Sequence, residues 1–407
     1  MSLRTAILIM SGLGVMSDAI LIAFYPQFFK LRYGIDSPVH AGSYIAAISI
    51  AVMCALPLWA KVARKVEIMP LLLVTQAIAG GLGIASAFAP NLALFWVLSI
   101  VMYLTKASYL LMFPYLMRLE KQEHHSHLVG LLSVIIHITA IFAATLGGVS
   151  LQRFGPQLCV LLMAAGDFLQ MALCYYLIKA NKVVPTVNQT SVENTQTPTN
   201  GAELPRKKRL QLLGTNLFRL SLVMVLFDFS AYVIRPFFST YWEETTGILQ
   251  RGITGAVFAI PALAALIGLY ANRLASQGKL PKLDNPLINL TLGAVGLAMQ
   301  AIPHIEAILI GRFLFGWGIF QIIVNLEVKL FQISTPDNYA RDFSIANFFQ
   351  NLGVLLSSFS AGYIVSLVGA QQTFFVAALG FLCTAAINQY WFSSRKHPAT
   401  GDSTHVV

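Results

Sequence analysis

Residues 16–29 read MSDAILIAFYPQFF and residues 226–238 read LFDFSAYVIRPFF. Both carry, in the same order, an acid, seven residues, a proline and a pair of apolar or aromatic residues, and both lie inside long apolar runs. Asp18 with Pro26 and Asp228 with Pro236 therefore read as matching points of two homologous halves, offset by 210 residues (228 − 18). A carboxylate in hydrocarbon costs roughly 2.5 to 3.5 kcal/mol on insertion scales and is usually kept for conduction, coupling or binding. Its repetition suggests a site on the repeat axis.

Composition agrees with a chain that lives in lipid. The apolar share is 57% and the charged share 11%, against about 25% charged in ordinary soluble domains. A spanning helix needs about 20 mostly apolar residues. Twelve such runs are expected, near Thr5 to Phe29, Val39 to Ala60, Met69 to Phe88, Leu92 to Met117, His127 to Ser150 and Gln157 to Ile178, then Thr215 to Tyr241, Gly252 to Ala271, Pro286 to Ile302, Ile305 to Phe331, Phe343 to Leu367 and Gln371 to Ser393. The first run has no cleavage-site pattern and reads as a retained helix. All four cysteines fall in apolar runs and read as small hydrophobes.

Basic residues set the topology, because positive loops stay cytoplasmic. One side holds Arg4, Lys61, Arg64, Lys65, Arg118, Lys121, Lys179, Lys182, the run Arg206 to Arg209, Arg273, Lys279, Lys282, Arg341, Arg395 and Lys396; the other holds Lys30, Arg32, Arg153 and Arg251. Both termini are thus expected in the cytoplasm of a bacterium, with the protein in the inner membrane and an even number of crossings. The net charge of +10 is this bias, with anionic lipid as a minor contact of the RKKR cluster, so no nucleic-acid partner is expected. Between Ala180 and Leu210 the chain turns polar and rich in Asn, Thr, Gln and Pro, a composition that cannot bury enough apolar surface to order itself. The expected organisation is a six-helix bundle over 1–180, a cytoplasmic linker over 181–210, a second bundle over 211–395 and a tail over 396–407. Gly148 and Gly155 recur as Gly362 and Gly369, an offset of 214 (362 − 148). A near-constant offset implies duplication.

At this point the chain resembles the major facilitator superfamily of secondary transporters over essentially its whole length. Parallel six-helix halves and midplane sites belong to that fold. The loop LPLWAKVARKVEI keeps the basic residues of the family's motif, Lys61, Arg64 and Lys65, without its acid and glycines; GRFLFGWG resembles the Arg-x-x-x-Gly-x-Gly pattern of the tenth helix through Arg312, Gly316 and Gly318. The stretch STPDNYARDFSIANFFQNLG resembles the loop that follows, with Arg341 as its arginine. AATLGG has Ala143 and Ala144 where antiporters carry Gly-Pro. The resemblance implies an all-α membrane protein in which the first, fourth, seventh and tenth helices line a central cavity.

On those helices, Asp228 and Arg235 share a face with Tyr232 between, Asp18 and Tyr25 have the same relation, and Ser99, Tyr103, Lys106 and Tyr109 form a stripe at spacings of four and three. Lys106 has no acid one turn away, so its partner must come from another helix or a ligand. Lys106, Arg235 and Arg312 are expected to give the cavity a positive side for carboxylate or other anionic groups, with Asp18 and Asp228 neutralising them when it is empty and one or both taking up a proton during transport. Purely structural ion pairing is the competing reading of Asp18, Asp228 and Lys106; for Arg312 it is helix packing or gating in the manner of the family motif, and for Arg235 snorkelling toward the interface. Gln321 and Asn325 share a face opposite Arg312; His137, Asn347 and Asn351 are further polar candidates. Glu327 and Lys329, with Lys61, Arg64, Lys65 and Arg341, read as a cytoplasmic gate. Phe237, Phe238, Tyr241 and Trp242 read as interface anchors, and Asp167 is a lone acid without an assigned role.

EKQEHHSH places His124, His125 and His127 beside Glu120 and Glu123, which reads as a solvated loop ahead of a metal site. No cofactor is expected. The favoured function is proton-coupled transport of a small anionic, zwitterionic or amphipathic metabolite, such as a carboxylate siderophore or drug-like compound, with export ahead of uptake. Uptake symport would use the same residues. A membrane-embedded lipid-handling enzyme is a remote third class, because no nucleophile, metal-ligand set or His-Asp pair clusters at one depth. One chain holds both halves of a pathway, so a functional monomer is expected.

Overall fold

The computed structural model describes residues 2–119, 125–183, 216–334 and 339–392. Among these residues the regular structure is entirely helical. The first half comprises α1 (Leu3–Ala19), α2 (Tyr25–Tyr33), α3 (Pro38–Val62), α4 (Ile68–Ala87), α5 (Leu92–Lys106) running through a 3-10 turn (Ala107–Leu111) into α6 (Met112–Leu119), α7 (His125–Arg153) and α8 (Pro156–Lys179). The second comprises α9 (Asn216–Tyr232), α10 (Phe238–Thr246), α11 (Arg251–Phe258), α12 (Ile260–Ser276), α13 (Pro286–Gln300), α14 (Ile305–Ile333), α15 (Tyr339–Val368) and α16 (Gln371–Phe392).

Among the described residues, nine segments are each long and apolar enough to cross a membrane. The other three expected runs are the interrupted pairs α1–α2 and α9–α10 and the 15-residue α13, about 22 Å long at 1.5 Å per residue. Large apolar side chains such as Phe142, Leu367 and Leu379 are exposed, as suits a solvent of lipid tails.

Proline explains both interruptions. It lacks the N–H for the helical bond and its ring clashes with the carbonyl four residues back. For Pro236 that carbonyl belongs to Tyr232, the last residue of α9; for Pro26 it belongs to Ile22, already within the break at 20–24. The elements themselves repeat at 213 residues. α1 and α9 have 17 residues each and α2 and α10 nine each, and α9, α10, α11 and α14 start 213 after α1, α2, α3 and α5 (216 − 3, 238 − 25, 251 − 38, 305 − 92). Gly34 and Gly247 close α2 and α10 in the left-handed region at φ 68° and 70°, where a side chain would be strained. Gly80 faces the Phe168 ring as Gly293 faces that of Phe381, also at 213.

This register corrects the expected equivalence of Asp18 with Asp228. Asp18 corresponds to Ala231 and Asp228 to Val15, three residues away, or about 4.5 Å along the helix. The Asp-to-Pro spacing coincides because each half places its proline, as well as its acid, three residues differently.

Within the halves α4 packs on α8, and α13 on α14 and α16; the halves meet along α3 with α15, and along α7 with α11 and α12. We call the face at turns 34–37, 154–155, 247–250 and 301–304 the far face, and the opposite one the near face. Small residues let backbones approach at the far-face contacts. A Cβ on Gly42 would stand 2.6 Å from the Ser358 carbonyl oxygen and one on Gly362 2.7 Å from that of Pro38, while Gly148 and Gly255 lie against the carbonyls of Arg251 and Ala144. Gln27 donates to Ser239 Oγ at 2.9 Å, Ser239 donates to the Ala23 carbonyl, and the Arg251 amide donates to Gln152 Oε1 at 2.9 Å. The far face is sealed by backbone contact and by hydrogen bonds.

Candidate functional site

A cavity of about 200 Å³ lies between the halves. The first half supplies Asp18, Ile22, Tyr25, Ser49 and Tyr103, and the second Tyr232, Arg235, Val354 and Ser358. The Tyr25 and Tyr103 hydroxyls are 2.7 Å apart, and Tyr44 meets the Tyr25 ring edge-on. Arg235 lies over the Tyr232 ring at 5.1 Å and has no carboxylate partner among the described residues. The walls thus combine aromatic faces with one uncompensated guanidinium.

Behind this cavity is a charge cluster. Lys106 ends α5 with its side chain 1% exposed, and its Nζ lies 2.5 Å from Ser17 Oγ, 3.0 Å from Asp18 Oδ1 and 3.2 Å from Asp167 Oδ1. The change of pitch into the 3-10 turn brings Tyr109 round to donate to Asp18 Oδ2 at 2.7 Å. The Asp18 side chain is 34% exposed and that of Asp167 0%, so the first reaches the cavity and the second is sealed. Ser17 also donates to the Met163 carbonyl at 2.7 Å. The partner that Lys106 lacks on its own helix is supplied by α1 and α8 together.

Sequence reading left Asp167 without a role, although depth carries the signal. From the far face, Lys106 lies 14 residues past Leu92, Asp167 11 past Pro156 and Asp18 15 before Tyr33. Three charges inside the bundle at nearly one level are expected to meet. Ser17, Tyr44, Ser49 and Ser358 carried no signal distinguishable from ordinary helix polarity.

Several expected cavity residues lie elsewhere. Asp228 is 5% exposed and has no ion-pair partner among the described residues; the helix break at 233–237 separates it from Arg235 and turns the two off a common face. Its expected neutralisation of a cavity cation is thereby corrected. Arg312 packs over the rings of Phe238 at 3.9 Å and Phe258 at 5.3 Å and donates to the Phe258 carbonyl at 2.6 Å, which ties α14 to the α11–α12 junction instead of lining the cavity. Gln321 forms a reciprocal amide pair with Asn272, both bonds at 3.0 Å, and Asn325 donates to the Asp284 carbonyl. His137 contacts Ser133 on its own helix and the edge of Phe320, and Asn351 bonds to Asn347. Partners on the same helix or on a neighbouring element engage these groups in place of the cavity.

Lys329 donates to Asn388 at 2.8 Å and not to Glu327, which is exposed, because residues two apart point to different helix faces. Lys61, Arg64 and Lys65 are exposed. Phe237, Phe238, Tyr241 and Trp242 are buried and pack against protein, Tyr241 and Phe238 on Phe374. They are not lipid-interface anchors. The side chains of Arg341, His125 and His127, with Glu120, Glu123, His124, most of the linker and the tail, lie outside the described residues. Among the described residues no group of three His, Cys, Asp or Glu is placed to hold a metal.

Residues 7–283 match the sequence model of the Major Facilitator Superfamily. No curated protein sequence matches the chain. The solved structures it resembles include the nucleoside transporter NupG (TM-score 0.71, 13% identity, covering 97% of this chain and 100% of that one). A bacterial homologue of the human lysosomal transporter Spinster, in an inward-facing and occupied conformation, superposes with a TM-score of 0.70 at 10% identity over 96% of each chain. The POT family transporter PepTSo gives 0.72 at 11% identity, over 96% of this chain and 98% of that one. At such identities the likeness is one of fold.

Proposed function

The chain belongs to the major facilitator superfamily, and from that membership we propose that it moves a small anionic, zwitterionic or amphipathic metabolite across the bacterial inner membrane by proton-coupled alternating access, with export as the working direction. Membership itself places it among membrane transporters and not among enzymes. The observation that carries the finer reading is the pairing of walls in one cavity: Arg235 on one side without a carboxylate partner among the described residues, Asp18 on the other tied to a buried lysine. A free guanidinium in a partly dry site attracts a carboxylate or phosphate-like group, and the tyrosines suit an apolar or aromatic body such as that of a carboxylate siderophore or drug-like compound.

Asp18 links substrate site and helix packing. Ionised, it holds α1 to α5 through Lys106; protonated, it gives up that attraction, so one proton changes how the first half packs beside the cavity. The bias of Lys and Arg supports a cytoplasmic near face, and the sealed far face supports a state in which the cavity is cut off from the outside. Both halves of the pathway lie in one chain, which supports a functional monomer.

The test is flux into proteoliposomes holding the purified protein, for a panel of small carboxylates and zwitterions, with and without an imposed pH gradient. At least one solute is expected to move against its own gradient while the pH gradient lasts. Transport that persists unchanged when the gradient is collapsed by an ionophore contradicts proton coupling.

A further inference from the structure

Asp167 is the fully buried ionisable group that this transport cycle leaves idle. Its Oδ1 lies 3.2 Å from Lys106 Nζ and accepts from Ser17 at 3.3 Å, while its Oδ2 is buried with no hydrogen-bond partner. Asp18 occupies the same ammonium at 3.0 Å. Two carboxylates against one lysine leave one surplus negative charge. An ionised carboxylate without a counter-charge is strongly disfavoured where water is excluded.

Among the described residues no further charge faces the pair. α1 brings Asp18 and Ser17; α5 and the 3-10 turn bring Lys106, Tyr103 and Tyr109; α2 brings Tyr25, bonded to Tyr103. Its Lys30 and Arg32 are engaged at the far face by Asp36 and the Ala87 carbonyl. α4 has no charged residue along its length and offers Thr75 and Gln76, bonded to Ser108. On α7, His137 is turned to Ser133. One more polar group borders the cluster: Gln170, one turn beyond Asp167, is 0% exposed with both amide atoms unpartnered. A Cβ on Gly14 would lie 3.2 Å from Gln170 Nε2 and 2.7 Å from the Tyr109 ring, so the glycine leaves room for the amide beside the tyrosine that holds Asp18.

We propose that Asp18 and Asp167 share one exchangeable proton across Lys106, with Asp167 as its sealed holder and Asp18 as the group that passes it to cavity water. The inference rests on the proton-coupled reading and assigns the coupling site to the first half alone. Lys106 stays an ammonium throughout; the proton leaves as hydronium through Asp18, and the pair then carries two negative charges around one positive. At the 213-residue register the second half has Ala231, Ile319 and Gly380 where the first has Asp18, Lys106 and Asp167. It has no counterpart of the site.

The test reads the proton directly, on purified full-length protein in an Asp228→Asn background that removes the other buried acid. Infrared absorption of a protonated carboxyl at neutral pH is expected in that background and expected to vanish in both D18N and D167N, since either change leaves one carboxylate balanced by one lysine. Asp167→Glu, which keeps the charge count, should restore it. A band that survives in folded D167N, or that fails to return in D167E, overturns the shared proton. A band abolished at constant pH by sodium, the probe cation, overturns it in favour of a metal-ion site. The transport reading fails separately, if wild-type flux ignores the pH gradient while the band behaves as expected.

Discussion

The crossing of α1 on α8 and the crossing of α9 on α16 are the same structural unit, 213 residues apart, with opposite contents. In the second half Gly380 lies against Ser230, whose hydroxyl bonds back to the Leu226 carbonyl of its own helix at 2.6 Å. The core around it is aromatic, with the rings of Phe227 and Phe315 packed at a tilt against Phe381 at 5.5 and 5.8 Å. In the first half the matching serine, Ser17, is drawn outward to Lys106, and Asp167 stands where the glycine would be. Both copies close a glycine against that serine, Gly166 on Ser17 and Gly380 on Ser230; the first alone sets a charge cluster beside the contact. Duplication supplied the scaffold, and divergence of a few residues made one half ionisable and left the other with an uncompensated cation at the cavity.

The largest expected effect breaks the charged copy. Lys106→Met leaves the sealed Asp167 and the cavity-facing Asp18 without a counter-ion; removing one partner of a buried pair such as Lys106 with Asp167 costs about 3–5 kcal/mol, so the thermal midpoint should fall sharply and pH-driven flux disappear. Adding Asp18→Asn and Asp167→Asn to that variant should recover much of the midpoint and none of the coupling. A recovered coupling would contradict the site.

The next effect breaks the packed copy. Gly380→Ala pushes a methyl into Ser230, and overpacking of this kind costs about 1–3 kcal/mol, read as a lowered midpoint with the coupling ratio unchanged. The double variant G380A and S230A should regain the loss, which separates the steric cause from any other.

Arg235→Gln tests the assignment of anion binding to the second half. Half-saturation for an anionic solute should rise about tenfold, the equivalent of ~1.4 kcal/mol, with the maximal rate and proton dependence retained. Equal weakening for a neutral analogue would point to a lost shape instead of a lost charge. The smallest change is expected of Asp228→Asn, which should alter pH-driven flux by less than about twofold, since Asp228 has no cation partner among the described residues and does not line the cavity.

Much of this was legible in the chain. Apolar runs placed the helices because hydropathy and length decide spans in lipid, and Lys106 announced its need for a partner because no acid lay within a turn. The register was misplaced by three residues because proline, not periodicity, marks the break, and the two prolines act from different sides of it. Asp167 was illegible as a lone residue; only comparison of depths along three helices brings it to Lys106. Arg312, Gln321, Asn325 and Asn351 read as cavity groups because sequence shows polarity but not the carbonyl or amide that already satisfies it.

The central claim is that coupling lives in the first half. It is tested most directly by pH-gradient-driven flux of one transported solute in Asp18→Asn and Asp228→Asn proteoliposomes side by side. Loss of gradient-driven accumulation in the first, with downhill exchange preserved, and near-normal accumulation in the second is the expected result; full accumulation in Asp18→Asn, or its loss in Asp228→Asn alone, would contradict it.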